Sequence, residues 1–178
     1  MDASDVEIRE ARSAEDEAAA ATLMAAYLTW GSQQLLEQYG VREAPADPSE
    51  VSLDAYQPPS GRLLLAVCSG CPVGVGALRQ LPDGAAEIKR MYVAQEARSL
   101  HIGSRLLDRL IDLAAQAGAD VVRLDTARFM SDAQRLYRSR GFVERPPYEG
   151  TEIPVQLRKH WLFFERRSIS AGRPTATD

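Results

Sequence analysis

The order in which two apolar periodicities follow one another constrains this chain most. Arg62–Val67, Val73–Leu81 and Ala86–Val93 are short apolar runs of strand character, separated by Cys68-Ser69-Gly70-Cys71 and by the turn signal Pro82-Asp83-Gly84. They predict an antiparallel meander. The period then changes. Ile102, Leu106, Leu107, Leu110, Ile111 and Ala114 fall at helical spacing, which predicts a helix over Ile102–Gln116 ended by Gly118. Val121–Thr126 reads as a buried strand and Ser131–Ser139 as a helix closed by Arg140-Gly141. Phe142–Arg145 and Trp161–Arg166 read as short strands around a Pro-rich loop. Upstream, Val6–Arg9 alternates like a strand, and Ser13 with Glu15 and Asp16 opens a helix running to about Trp30. A second helical stretch is expected over Gln33–Tyr39, and residues 41–60, with four of the ten prolines, read as loop with one short helical turn. The order is strand, helices, three strands, helix, strand, helix, two strands. It predicts an α/β (α+β) fold, a mixed central sheet of about six to seven strands flanked by helices on both faces.

At 178 residues one domain is expected, over 1–167, with polar Ser168–Asp178 as a disordered tail. No run of about 18 apolar residues is present, so no membrane span is expected. The acidic start MDASDVEIRE lacks the apolar stretch of a secretory signal, and the expected location is cytoplasmic. A net charge of -4 argues against a nucleic-acid partner. That charge is divided: residues 1–60 carry twelve acidic and three basic side chains, and the remainder thirteen and eighteen. Two cysteines and two histidines, His101 and His160, too far apart to join them, give no metal site. Cys68 and Cys71 read as reduced turn residues.

Chemistry concentrates in Glu87 to Gly103, where a strand gives way through a polar loop to a helix. Unpaired amides at a helix start carry partial positive charge and hold phosphates, and Arg98 and Gly103 suit such a turn.

This region resembles the Gcn5-related N-acetyltransferase (GNAT) family. The family's signature, Arg/Gln-x-x-Gly-x-Gly/Ala, is matched by Arg98-Ser99-Leu100-His101-Ile102-Gly103, with His101 in place of the first glycine. Ala133-Gln134-Arg135-Leu136-Tyr137-Arg138-Ser139-Arg140-Gly141-Phe142 resembles the family's Ala-x-x-Leu-Tyr-x-x-x-Gly-Phe, and Met130 stands where many members carry Asn. The resemblance covers Arg62 to Arg166 and implies a single GNAT-type domain.

It further implies transfer of acetyl from acetyl-CoA, as co-substrate and without metal, to a primary amine of a small molecule or peptide, by a monomer or homodimer. Met91, Tyr92 and Val93 would bond the pantetheine arm, and Arg98, Ser99, Leu100, His101, Ile102, Gly103 and Ser104 the pyrophosphate. His101 requires either an ordinary φ or accepted strain. Its imidazole either faces solvent or adds a donor to phosphate. Glu87 is the expected base, eleven residues before Arg98 as in histone-acetyltransferase members, with Asp125 or a water as alternatives. Tyr137 is the expected acid for the leaving thiolate. Arg135, Arg138 and Arg140 are candidates for cofactor phosphates. Glu37, Glu43, Glu149 and Glu152 suggest a cationic acceptor, Arg90 a carboxylate on it, and Tyr148 and Trp161 an apolar wall. The competing functions are a non-catalytic acyl-CoA-binding or regulatory domain and a transferase of a longer acyl group.

Overall fold

Ser13 opens the first helix, its Oγ accepting the Asp16 amide at 3.1 Å. The Asp16 carboxylate turns back to accept from the Arg12 amide at 3.2 Å and takes both arms of Arg9, at 2.5 and 2.6 Å. From this anchor α1 runs over Ala14–Tyr39, 26 residues without a break. The two helical stretches expected here are thus one. A single interior glycine, Gly31, costs only about 1 kcal/mol, and the Ser32 hydroxyl donates to the Leu28 carbonyl at 2.9 Å. The helix ends at Gly40, whose φ of 68° is the left-handed conformation a C-terminal cap needs.

The computed structural model describes residues 5–43 and 46–167. The expected disordered tail, 168–178, lies outside them. Among the described residues seven strands form one sheet in the order β1-β2-β3-β4-β5-β7-β6. They are β1 Val6–Glu10, β2 Gly61–Cys68, β3 Cys71–Gln80, β4 Ala86–Val93, β5 Val121–Ala127, β6 Val143–Arg145 and β7 Trp161–Arg167. Only β4 and β5 pair in parallel. Helices α2, Ile102–Gln116, and α3, Ser131–Ser139, follow β4 and β5. Residues 41–60 contain two short 3-10 turns, Pro48–Glu50 and Asp54–Tyr56, rather than one.

The expected hairpin is present: Cys68 stands opposite Cys71, with Ser69 and Gly70 at φ 48° and 81° between them. Alternation along the strands sorts the core into two layers. Ile88, Val122, Leu124 and Phe164 pack beneath Leu106, Leu107 and Leu110 of α2, with Tyr137 of α3 in the same layer. Leu63, Leu65, Val75 and Ala77 pack against Ala20 and Met24 of α1 on the other face. Helix α2 lies close because β3 offers no side chain there: a Cβ on Gly76 would come 2.9 Å from Leu110 Cδ1.

Candidate active site

One irregularity in β4 makes the site. Val75 pairs with Tyr92 and Ala77 with Lys89, so Gly76 alone faces both Arg90 and Met91. This bulge is absorbed at Arg90, which takes φ 58°. Pairing of β4 with β5 covers only Ala86, Glu87 and Ile88. Beyond Ile88 the strands separate, and the backbone of Met91–Val93 has no strand on its β5 side. The resulting cleft, about 380 Å³, is lined by Met91, Tyr92, Val93, Arg98, Gly103 and Tyr137 among others.

The floor of the cleft is the start of α2. The loop before it is a 3-10 turn, Gln95–Leu100. Arg98 donates to the Val93 carbonyl at 3.3 Å. Leu100 and Ile102 bury their side chains in the α2 layer, leaving only their backbone to offer a ligand. His101 adopts φ 56° and ψ 22°, so the loop has accepted the strain that a glycine would avoid; its side chain is exposed. No acidic residue stands in the first turn of α2, and Ser104 Oγ donates to the His101 carbonyl at 2.7 Å. Gly103 lines the cleft, and a Cβ there would meet only Leu136 Cδ2, at 3.8 Å. This turn has the shape and polarity for a phosphate group.

Tyr137 projects from α3, its ring 6.1 Å from those of Phe142 and Phe164. Among the described residues none accepts a hydrogen bond from its hydroxyl. Burial pushes the phenol above its ordinary pKa, so the neutral, proton-bearing form prevails. Arg135, Arg138 and Arg140 do not reach the α2 start: they pair with Asp132, Glu144 and Asp108.

Glu87 sits deeper than its motif spacing suggests. It is 0% exposed, with Oε2 taken by Arg79 Nε at 2.5 Å and Oε1 by the Tyr148 hydroxyl at 2.6 Å. The carboxylate that shares a narrow recess beside the cleft with Tyr27, Met91 and Tyr137 is Asp125. Lys89 Nζ donates to Asp125 Oδ2 at 3.1 Å, the Tyr148 hydroxyl oxygen lies 3.4 Å from the same atom, and among the described residues none donates to Oδ1. Burial acts to lower the Lys89 pKa, but Asp125, Glu87 and Glu152 outweigh it, and the ammonium is favoured. Glu152 takes three cations: Arg79 at 2.9 Å, Arg90 at 3.3 Å and Lys89 at 3.5 Å. It is therefore bound internally rather than presented to a cationic acceptor, and Glu37, Glu43 and Glu149 stay on the exterior. Tyr148 is not bare wall either, since its hydroxyl joins this cluster while its ring packs edge-on against Phe163.

An aromatic chain closes the cleft from the α1 side. Tyr27 lies 6.0 Å from Tyr92, Trp30 5.8 Å from Phe129, Tyr39 6.3 Å from Phe129 and 3.9 Å from His160, ring centre to ring centre. None of these except Tyr92 is a candidate from sequence. Tyr27 and Trp30 share a face at three-residue spacing, a signal that a buried helix gives just as well.

The sequence profile of the acetyltransferase (GNAT) family matches residues 19–142. The chain is 38% identical over 106 residues to a protein named IAA acetyltransferase from Azospirillum brasilense, covering 58% of this chain and 69% of that one. It is 32% identical over 131 residues to an uncharacterized N-acetyltransferase of Schizosaccharomyces pombe, covering 68% and 78%. In fold it resembles an acetyltransferase from Streptococcus agalactiae (TM-score 0.71, 18% identity, 92% and 99% covered). It also resembles Salmonella typhimurium yncA, solved with its cofactor acetyl-CoA (TM-score 0.64, 20% identity, 97% and 99% covered).

Proposed function

The chain belongs to the acetyltransferase (GNAT) family, and from that premise we propose that it moves an acetyl group from acetyl-CoA to a primary amine of a small molecule or peptide. The observation that carries this reading is the parting of β4 from β5 after Ile88, with backbone at Met91–Val93 that β5 does not pair, uncapped amides at the start of α2 and the Tyr137 hydroxyl on one cleft. Acetyl-CoA, when bound, supplies an acetyl thioester.

The backbone of Met91, Tyr92 and Val93 completes an interrupted strand edge and orients an extended amide-bearing arm. The amides of Ile102, Gly103 and Ser104 hold the pyrophosphate at the positive end of α2, with Arg98 and His101 beside them. An ammonium cannot attack a carbonyl until it loses a proton. Asp125 Oδ1, to which none of the described residues donates, accepts that proton directly or through a water. Glu87 then acts as a positioning residue: it holds Arg79 and Tyr148, and the Tyr148 oxygen packs 3.4 Å from Asp125 Oδ2. Tyr137 Oη holds the proton that the departing thiolate requires. The aromatic wall of Tyr27, Trp30 and Phe129 keeps water from the reacting carbonyl.

Two measurements test the reading. Acetyl-CoA at 100 times its Kd should add about 2.7 kcal/mol of stability, and amines should release free thiol from it. Stabilisation without thiol release from any amine leaves the non-catalytic reading. A faster reaction with a longer acyl-CoA leaves that transferase. No stabilisation overturns the site.

A further inference from the structure

Resting on the reading of this cleft as an acyl-transfer site, we propose that the acceptor carries a carboxylate beside its amine, held by Arg79, Lys89 and Arg90 where the Glu152 carboxylate now lies.

Three cations and three carboxylates meet beside the cleft, and they are not equivalent. Glu87 and Asp125 stand on adjacent sheet strands, with side chains 0% and 7% exposed. Glu87 matches Arg79, and Asp125 matches Lys89. The third cation, Arg90, has no strand-borne carboxylate. It is met at 3.3 Å by Glu152, whose side chain is 40% exposed and comes from the segment between β6 and β7, outside any strand or helix. Glu152 thus reaches in from outside and closes the charge balance of a site that lacks one negative group of its own.

Its contacts are those a ligand carboxylate would make. Oε1 takes Arg79 Nη1 at 2.9 Å, and Oε2 takes Lys89 Nζ at 3.5 Å and Arg90 Nη2 at 3.3 Å. Arg90 is placed there by the bulge itself, at φ 58°. The recess shared by Lys89, Arg90, Asp125 and Tyr137 measures about 30 Å³, room for an amino group and little more. An acceptor whose nitrogen enters it extends its remaining atoms outward, past Lys89 and Arg90. A carboxylate one or two carbons from the amine meets the same cations as Glu152. The acceptor class is therefore an amino acid or a close amino-carboxylate, and Glu152 is its displaceable internal substitute.

The test uses the full chain, acetyl-CoA and matched sets of acceptors: the common amino acids, their decarboxylated amines and their methyl esters, read by thiol release. For the best-used amino acid, kcat/KM should exceed that of its amine and its ester by tenfold or more, the difference lying in KM. Arg90→Gln should raise KM for the amino acid by at least tenfold while leaving KM for the matched amine within twofold. Glu152→Gln should lower KM for the amino acid. Its melting temperature should fall, and should recover with the amino acid but not with the decarboxylated amine. Equal use of acid, amine and ester, or an Arg90→Gln protein with unchanged KM for each, overturns the carboxylate site and leaves the acyl-transfer reading standing. Absence of both acetyl-CoA stabilisation and thiol release overturns the acyl-transfer reading, and this inference with it.

Discussion

Tyr148, from the segment between β6 and β7, donates its hydroxyl to Glu87 Oε1 on β4 at 2.6 Å. One bond thereby fixes the loop that carries Glu152 to a strand at the centre of the sheet. Tyr148→Phe should cost about 1.5–3 kcal/mol, the range for a bond to a charged group, measured as a lower urea midpoint with the slope unchanged. It should also raise KM for the acceptor and not for acetyl-CoA.

Tyr137→Phe keeps the ring between Phe142 and Phe164 and removes only the proton. The melting temperature and acetyl-CoA affinity should hold. Turnover should drop by about 10²–10⁴, the usual worth of a general acid. Full retained turnover would make the ring packing alone.

Asp125 and Glu87 separate by pH profile. Asp125→Asn should remove the acid limb of kcat/KM, because the group that accepts the proton no longer ionises. Glu87→Gln should keep that limb. It should instead lower stability by about 1.5–3 kcal/mol, the worth of a charge-assisted bond that Gln weakens, while Arg79 keeps Glu152 as its counter-charge. Loss of the limb in Glu87→Gln would return the base to Glu87.

His101→Gly should stabilise the protein by up to about 1 kcal/mol, since glycine takes φ 56° without the penalty an L side chain meets there. Affinity for CoA should stay level or rise. A tenfold loss would show that the imidazole touches phosphate.

The Arg9–Asp16 pair sets an acid limit. The Arg9 fork, with the Arg12 amide, lowers the Asp16 pKa from 3.8 to about 2. A depressed carboxylate contributes stability that is complete above its unfolded pKa and vanishes as pH falls through the folded one. Asp16→Asn should therefore melt lower than the parent at pH 7, and the two curves should converge between about pH 4 and 2.

Much of this arrangement was legible in the sequence. Ile102–Gln116 and Ser131–Ser139 coincide with α2 and α3, the first marked by strong apolar periodicity and Gly118, the second by its closing Arg140-Gly141. The joining of α1 through Gly31 was not legible, since one glycine and one serine resemble a break when packing against β3 is unseen. The motifs led to Tyr137, which the fold brings to the cleft. They led also to Glu87, whose spacing does not reveal depth: only the register of Tyr148 and Arg79 against β4 shows both oxygens taken. The bulge at Arg90 carries no signature, because arginine gives no sign of a left-handed backbone.

Among the described residues, the backbone ladder that joins the antiparallel β1–β4 half of the sheet to β5–β7 has only three residue pairs, Ala86–Val122, Glu87–Arg123 and Ile88–Leu124. The first half closes through near-neighbour hairpins apart from β1, whereas this seam must wait for a crossover through α2. Its amides should accordingly be the last to gain protection when the chain refolds and among the first of the sheet to exchange in the native state. A molecule lying between β4 and β5 stitches the two halves together beyond Ile88. Its most distant effect should thus be slower exchange at the seam, a mechanical readout of occupancy that needs no turnover.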